Sequence, residues 1–270
     1  MQNCLERFIS STVSYHDFTQ AVNIANEFDC GIEISRFGRL ADIEDDFEKN
    51  KKEYKAILAD FEKNVTLHGF FSNLNIAAKD PLIKKVSLKR YYQTLELASE
   101  FDVKTVVFHT CFNNLLKQKS YREMFFLSNI EFYKDFVKNF EDLGITLTIE
   151  NVHEPNPEFI RNLVAAVNSP NFKTTLDIGH CNIHSDLTVS DWIKEYGIML
   201  SHMHFHSNYK DEDVHDSLLN GNIDIKEILK TLYDLKLNPT ITFEIFDYES
   251  LKESLAYFNS LCDEIGLEYC

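Results

Sequence analysis

The sequence predicts an α/β fold, a single (β/α)8 TIM barrel, with one domain over residues 1–270. Three observations predict it. Short β-rich runs alternate with longer amphipathic runs from one end to the other, and eight such units in about 250 residues match this architecture. No Pro/Gly/Ser linker or low-complexity tract divides the chain. An open doubly wound sheet usually needs fewer strands, and no Gly-rich phosphate fingerprint follows any strand, since Gly31 and Gly69 stand alone. No nucleotide cofactor is therefore expected.

Taken in order, the predicted strands are Arg7–Ser14, Gly31–Ser35, Val65–Phe70, Thr105–Thr110, Thr146–Asn151, Lys173–Ile178, Leu200–His206 and Thr240–Phe246. The acid cluster Asp42–Glu48 reads as a solvated helix start, favoured by the helix dipole. Asp80 to Phe101 is the clearest helix. Asp80 suits its N-cap and Pro81 its first turn, while Leu88, Tyr91, Tyr92, Leu95 and Ala98 make the apolar stripe. A final amphipathic run, Ser250 to Ile265, closes the cycle.

With 44% hydrophobic side chains the chain has enough apolar surface for a large core, which excludes a disordered protein. Six cysteines (Cys4, Cys30, Cys111, Cys181, Cys262 and Cys270) lie far apart without a C-x-x-C pair, and are read as reduced, intracellular thiols. Glu6 and Arg7 interrupt any signal-peptide core, and no window approaches the ~18 apolar residues of a membrane span. The expectation is a soluble, cytoplasmic protein. Its net charge of -16 repels polyanions, so nucleic acid is a disfavoured partner.

Barrels of this kind keep their chemistry at the carboxyl ends of the strands. Here those ends read VTLHG with His68, VVFHT with His109, LTIEN with Glu150, TTLDIGH with Asp177 and His180, SHMHFHS, and ITFEI with Glu244. A single polar residue inside an apolar strand is ordinarily a satisfied core group. Six successive strands each ending on one are not, when 43 acidic residues and 10 histidines are spread over 270 positions. The pattern predicts a shared metal site. Mixed carboxylates and imidazoles suit Zn²⁺ or Mn²⁺ better than Mg²⁺ or Ca²⁺. His202, His204 and His206 alternate with Met203 and Phe205, so all three imidazoles face inward, some as ligands and the rest as interior or substrate-binding groups. In the polar loop that follows, Asp213 and His215 are two apart and able to share an ion. Cys111 and Cys181 read as small buried side chains, and His16, His153 and His184 as surface or loop histidines.

The segments LHGFF, VVFHT, TIENVHE, LDIGH, HMHFH, DVHDSLLNGNID and FEIFD, in this order over nearly the whole chain, resemble the xylose-isomerase-like TIM barrels. That family includes sugar-phosphate isomerases and epimerases and also endonuclease IV. The resemblance implies that Glu150, Asp177, His204 and Glu244 hold one metal in the isomerase and epimerase branch. In the endonuclease branch the site is enlarged to three zinc ions, with His68, His109 and Glu150 on the first, the quartet on the second, and His180, Asp213 and His215 on the third. All nine positions are filled. Leu219 and Asn220 depart from the Gly and Glu common in the family.

The expected function is therefore a metal-dependent isomerase or epimerase of a small sugar or sugar phosphate, using one to three divalent ions and proton transfer through an enediolate. By resemblance Glu150 and Glu244 flank the sugar as acid and base, and His180 holds a substrate oxygen. Arg36, Phe70, Phe71 and Asn113, in the loops after strands two to four, are candidates for sugar binding, with Arg39 beside them. The alternative is a trinuclear zinc phosphodiesterase, disfavoured by six arginines and no basic loop with interleaved aromatics. A second alternative is a non-catalytic metal- or sugar-binding barrel.

Overall fold

The computed structural model describes residues 4–14, 17–38, 44 and 46–270. His16, Arg39 and, within the Asp42–Glu48 acid cluster, Asp42, Ile43 and Asp45 lie outside the described residues. Eight parallel strands close into a barrel in sequence order: β1 (Arg7–Ser10), β2 (Gly31–Ile34), β3 (Val65–His68), β4 (Thr105–His109), β5 (Thr146–Glu150), β6 (Phe172–Asp177), β7 (Leu200–Phe205) and β8 (Thr240–Phe243), with β8 paired back onto β1. Between them run α1 (Phe18–Glu27), α2 (Phe47–Ile57), α3 (Pro81–Glu100), α4 (Lys119–Leu143), α5 (Glu158–Val167), α6 (Ile178–His184), α7 (Val189–Tyr196), α8 (Ile225–Leu235) and α9 (Tyr248–Ile265). The main core lies between strands and helices, where Ile32, Leu67, Leu147, Leu176, Met203 and Ile241 meet residues such as Trp192, Leu229 and Leu251.

All eight predicted strands exist, but the first ends early. After Ser10 the chain coils into a 3-10 turn at Ser11–Ser14, because Ser10 Oγ accepts from the Thr12 amide and hydroxyl while Ser11 Oγ accepts from Ser35 N. Short hydroxyl side chains compete with ladder bonds in this way. Asp80 caps α3 as expected, accepting from Leu82 N at 2.8 Å. Its buried face differs: Ser87, Arg90, Tyr91, Thr94, Leu97 and Ala98 turn inward, whereas Tyr92 is exposed. A polar residue can occupy the core face when a neighbour satisfies it, as Arg90 does with Gln93 and Glu44. Among the described residues no helix is long and apolar enough to cross a membrane.

The barrel interior is polar. Thr148 and Thr175 share a 2.7 Å hydrogen bond, and Glu33, Thr66, His202 and Thr242 form a second buried group. Alternation explains the split: one face of each strand supplies apolar residues to the helices, and the other supplies these groups to the lumen.

The cysteines correct the sequence reading, since Cys4 and Cys270 form a disulfide while Cys30, Cys111, Cys181 and Cys262 are free. The C-terminal segment runs beside β1: Leu5 N donates to Glu268 O and Cys270 N to Leu5 O, which brings the two Cα atoms to 6.1 Å. A separation of 266 residues hides that proximity from the sequence. Protein denatured without reductant should titrate four thiols; six would contradict the bridge. Reduction should lower stability by about 2–4 kcal/mol, read from the urea midpoint, because a very long loop is released in the unfolded chain.

Candidate metal centre

Strand register assembles the polar ends. His109 of β4 pairs with Glu150 of β5, and Asp177 of β6 with His204 of β7, so each pair shares one end of the barrel. Glu150 is buried between four imidazoles: its Oε2 lies 3.2 Å from His68 Nε2 and 3.3 Å from His109 Nε2, and its Oε1 lies 3.1 Å from His180 Nδ1 and 3.5 Å from His204 Nδ1. Asp177 ends β6 and caps α6, accepting from His180 N, which puts His180 one turn away on the same side.

His204 is fully buried, yet neither ring nitrogen makes a hydrogen bond. Its Nδ1 faces three carboxylate oxygens, from Glu150 at 3.5 Å, Glu244 at 3.6 Å and Asp177 at 3.8 Å. Buried polar atoms in native proteins are almost always paired. A divalent cation is the group that such a nitrogen and three carboxylates fit, and the N/O donor set suits zinc or manganese.

A second group lies outward. His180 Nε2 is 3.3 Å and His215 Nε2 3.5 Å from the same oxygen of Asp213. Both rings have Nδ1 on a main-chain carbonyl, of Asn151 for His180 and of Glu244 for His215, so in the neutral form their bare Nε2 atoms meet an acceptor. His68 repeats the device, with Nδ1 on Gly69 O and Nε2 toward Glu150. Anchoring one imidazole nitrogen to leave the other as a lone-pair donor is the usual support for a metal-binding histidine. The loop bearing Asp213 and His215 is closed by the reciprocal bonds of Ser207 and Asp216, and His215 adopts a left-handed φ of 49°. Leu219 is exposed and Asn220 donates to Asp216, so their departure from the family pattern leaves Asp213 and His215 beside His180.

Charge within the cluster is strongly coupled. Burial alone would raise the Glu150 carboxyl, but His204 and His109 outweigh it and hold it well below the carboxylate range. Burial of Asp177 is likewise outweighed by His180 and His206. Burial opposes the imidazolium of His180 and of His204, yet the surrounding carboxylates, Asp177 first for His180 and Glu244 first for His204, hold both well above the ordinary histidine value. His68 and His215 are raised in the same sense against burial, whereas burial prevails at His109 and lowers it. A cluster that retains protons in this way is one that attracts positive charge.

The nine sequence-predicted ligands thus meet at one end of the barrel. The sugar-binding candidates divide. Phe71 packs on the site, 5.2 Å from the His109 ring and 5.3 Å from His68. Phe70 is core, beneath the Arg90 guanidinium. Arg36 gives Nη1 to Tyr54 Oη and Nη2 to Ser14 O, tying the first two loops together, and Asn113 is exposed and accepts from Leu115 N. These bonds go to groups outside the cluster. His153 and His184 are exposed and touch each other at 3.2 Å.

Two residues, Phe246 and Glu33, escaped the sequence reading as members of this assembly, and a third, His206, is legible there only as one of three inward-facing imidazoles. His206 places Nε2 3.1 Å from both oxygens of Asp177 and joins His180, Asp213 and His215. Phe246 stacks on His215 with ring centroids 4.4 Å apart, and His215 in turn stacks on His206 at 3.8 Å. Glu33, within the apolar run GIEI, lies beneath His204. Period two was the available signal, since it places Glu33 and His206 on lumen faces.

Gly179 makes the stack possible. A Cβ there would sit 2.0 Å from His206 Cε1, a side chain itself fixed by Asp177. Gly179→Ala should therefore cost about 1–3 kcal/mol as overpacking, measured by urea unfolding of the metal-free protein.

With this geometry in view, comparisons place the chain. A family model described as xylose isomerase-like TIM barrel matches residues 24–261. An uncharacterized protein of Methanocaldococcus jannaschii is 28% identical over 228 residues, 80% of this chain and 77% of that one. The solved structure of a D-tagatose 3-epimerase-like protein matches with a TM-score of 0.81 at 23% identity, over 97% of this chain and 98% of the other. A Thermus thermophilus protein soaked with zinc chloride gives 0.78 at 21%, over 96% and 98%. The D-psicose 3-epimerase of Clostridium cellulolyticum, solved with D-tagatose, gives 0.77 at 17%, over 98% and 100%. The solved structures share the fold, and the match over most of the sequence fixes the lineage: the chain belongs to the xylose isomerase-like TIM barrel family.

Proposed function

We propose that the protein is a metal-dependent isomerase or epimerase of a small sugar or sugar phosphate. The observation that carries this reading is His204 Nδ1, buried and without a hydrogen bond, faced by Glu150, Glu244 and Asp177. These four residues would hold a zinc or manganese ion. Sugar epimerases with the same fold support the substrate class. Bound beside a sugar's carbonyl and neighbouring hydroxyl, the ion supplies Lewis acidity, which lowers the cost of removing the proton from the carbon between them.

The residues of the chain do the rest. Glu150, a buried carboxylate beside the place of the ion, is suited by position to take that proton, leaving the substrate as an enediolate. Glu244, at the end of the barrel's last strand, is suited to return it; return to the far face of the same carbon inverts a centre, and return to the adjacent carbon interconverts ketose and aldose. His180 carries its Nδ1 proton toward Asn151 O and turns Nε2 outward, where it can steer a substrate oxygen or hold an outer ion with His206, Asp213 and His215. Phe71 and Phe246 give the histidine cluster an apolar rim against which a sugar ring can lie. One observation favours a trinuclear phosphodiesterase as a second reading: the outer group is assembled as well as the inner one. The net charge of -16 weighs against it, because a duplex must be gripped through its phosphates.

Metal-loaded protein should exchange the hydrogen next to the carbonyl of a ketose or ketose phosphate with solvent deuterium. Glu150→Gln and Glu244→Gln should each slow exchange by roughly 10²–10⁴-fold, with metal content measured alongside. Metal-dependent cleavage of an abasic-site duplex without exchange on a broad ketose panel would overturn the reading in favour of the phosphodiesterase, and neither activity would leave a binding barrel.

Chelation provides a pH test. His180 and His204 have folded values raised well above the ordinary 6.5, so in metal-free protein their contribution to stability is full below that pH and is lost as pH rises through the folded values. Metal binding gains over the same interval, because fewer protons compete for the ligands. The drop in melting temperature caused by excess chelator should therefore widen from pH 6 to pH 8 (about two units around the histidine value). A gap that narrows would contradict the assignment.

A further inference from the structure

Glu33 lies in the middle of β2, fully buried inside the barrel and below the proposed ligands. Burying a carboxylate is costly unless it is bonded and paired, so its contacts have to account for it. Its two oxygens differ. Oε2 accepts from Thr66 Oγ1 at 3.1 Å and Thr242 Oγ1 at 3.0 Å, and lies 3.0 Å from His202 Nε2. Oε1 has no hydrogen bond and faces His204 Nε2 at 3.3 Å. His202 is fixed in turn by Thr240 Oγ1 on its Nδ1 at 2.6 Å. One oxygen is thus saturated by the lumen of the barrel, and the other is left for a single imidazole.

That imidazole is the one whose opposite nitrogen faces Glu150, Glu244 and Asp177. A neutral imidazole has one N–H, and the nitrogen that lacks it is the metal donor; what the N–H meets decides which is which. An ionised carboxylate accepts and cannot donate. We propose that Glu33 is a positioning residue that holds the His204 proton on Nε2, so that Nδ1 presents its lone pair to the divalent ion. Thr66, Thr242 and His202 hold Glu33 in the orientation this requires. The inference rests on the assignment of His204 as a ligand and adds the group that sets its tautomer and ring angle.

The test uses the full chain with Glu33→Leu, which removes the acceptor, and Glu33→Gln, which keeps an oxygen for Nε2 while its amide faces hydroxyls able to accept. Thr66→Val removes one support of Glu33 without touching His204. Zinc affinity is measured by competition with a chromophoric chelator, and the ring N–H of His204 is followed by ¹⁵N-histidine NMR of the zinc-loaded protein, assigned with His204→Gln. Glu33→Leu should weaken zinc by about 10–100-fold and expose the Nε2 proton to solvent exchange, with Glu33→Gln retaining more affinity than Glu33→Leu and Thr66→Val falling between wild type and Glu33→Leu. If Glu33→Leu does not fold, Glu33→Gln and Thr66→Val decide by the same two measurements.

Unchanged zinc affinity and an unchanged, protected Nε2 proton in the folded variants would overturn the inference, even if their melting temperatures fall, because that pattern belongs to a purely structural carboxylate. Wild-type protein that binds no zinc would overturn the assignment of His204 as a ligand, and this inference with it.

Discussion

Glu150 has almost no contact with water, and both of its oxygens are crowded by imidazoles. A carboxylate in that position survives only if positive charge is supplied next to it, by protons on histidines or by a bound cation. The same holds for Asp177, and deeper in the lumen for Glu33. Burying three carboxylates at one end of a barrel makes the whole end a trap for positive charge. The positions of His68, His109, His180, His204 and His206 follow from that demand, as do the main-chain carbonyls of Gly69 and Asn151 that hold the outer nitrogens of His68 and His180.

The trap is tolerable because the two faces of each strand are separated by alternation. β7 shows the arrangement in six residues: Met203 and Phe205 pack outward into the apolar core, while His202 and His204 point into the lumen. Stability is drawn from the outer layer, and the lumen is left for polar groups that satisfy one another, Thr148 with Thr175 and Glu33 with Thr66 and Thr242. An apolar interior would pack better and could not orient a histidine.

Much of this was legible in the sequence. An apolar run that stops on His, Glu or Asp marks both the end of a strand and the side of the barrel, so the strand cores of the fold and the strand-borne histidines and carboxylates could be read together. Loop contacts were harder. Asp213 and His215 were visible as a pair, but the bend that returns them to His180 depends on Ser207, Asp216 and a left-handed His215. Arg36 looked available for sugar binding, and only the fold reveals Ser14 and Tyr54 as its partners. Glu33 was overlooked because it sits inside β2 and not at a carboxyl end, although period two places it on the lumen face. The Cys4–Cys270 bridge was hidden because nothing local records that the two ends of the sequence lie side by side.

The two groups of candidate ligands differ in what bears them. Glu150, Asp177 and His204 belong to paired strands of a closed sheet, whereas Asp213 and His215 are carried by an excursion pinned at its neck by Ser207 and Asp216. Sheet-borne donors share the rigidity of the barrel wall; loop-borne donors can swing away together by bending one short segment. Occupancy would then be graded by architecture before any chemistry is considered. An inner ion would be held by the barrel wall itself, and an outer one only as firmly as the Ser207–Asp216 neck holds its loop.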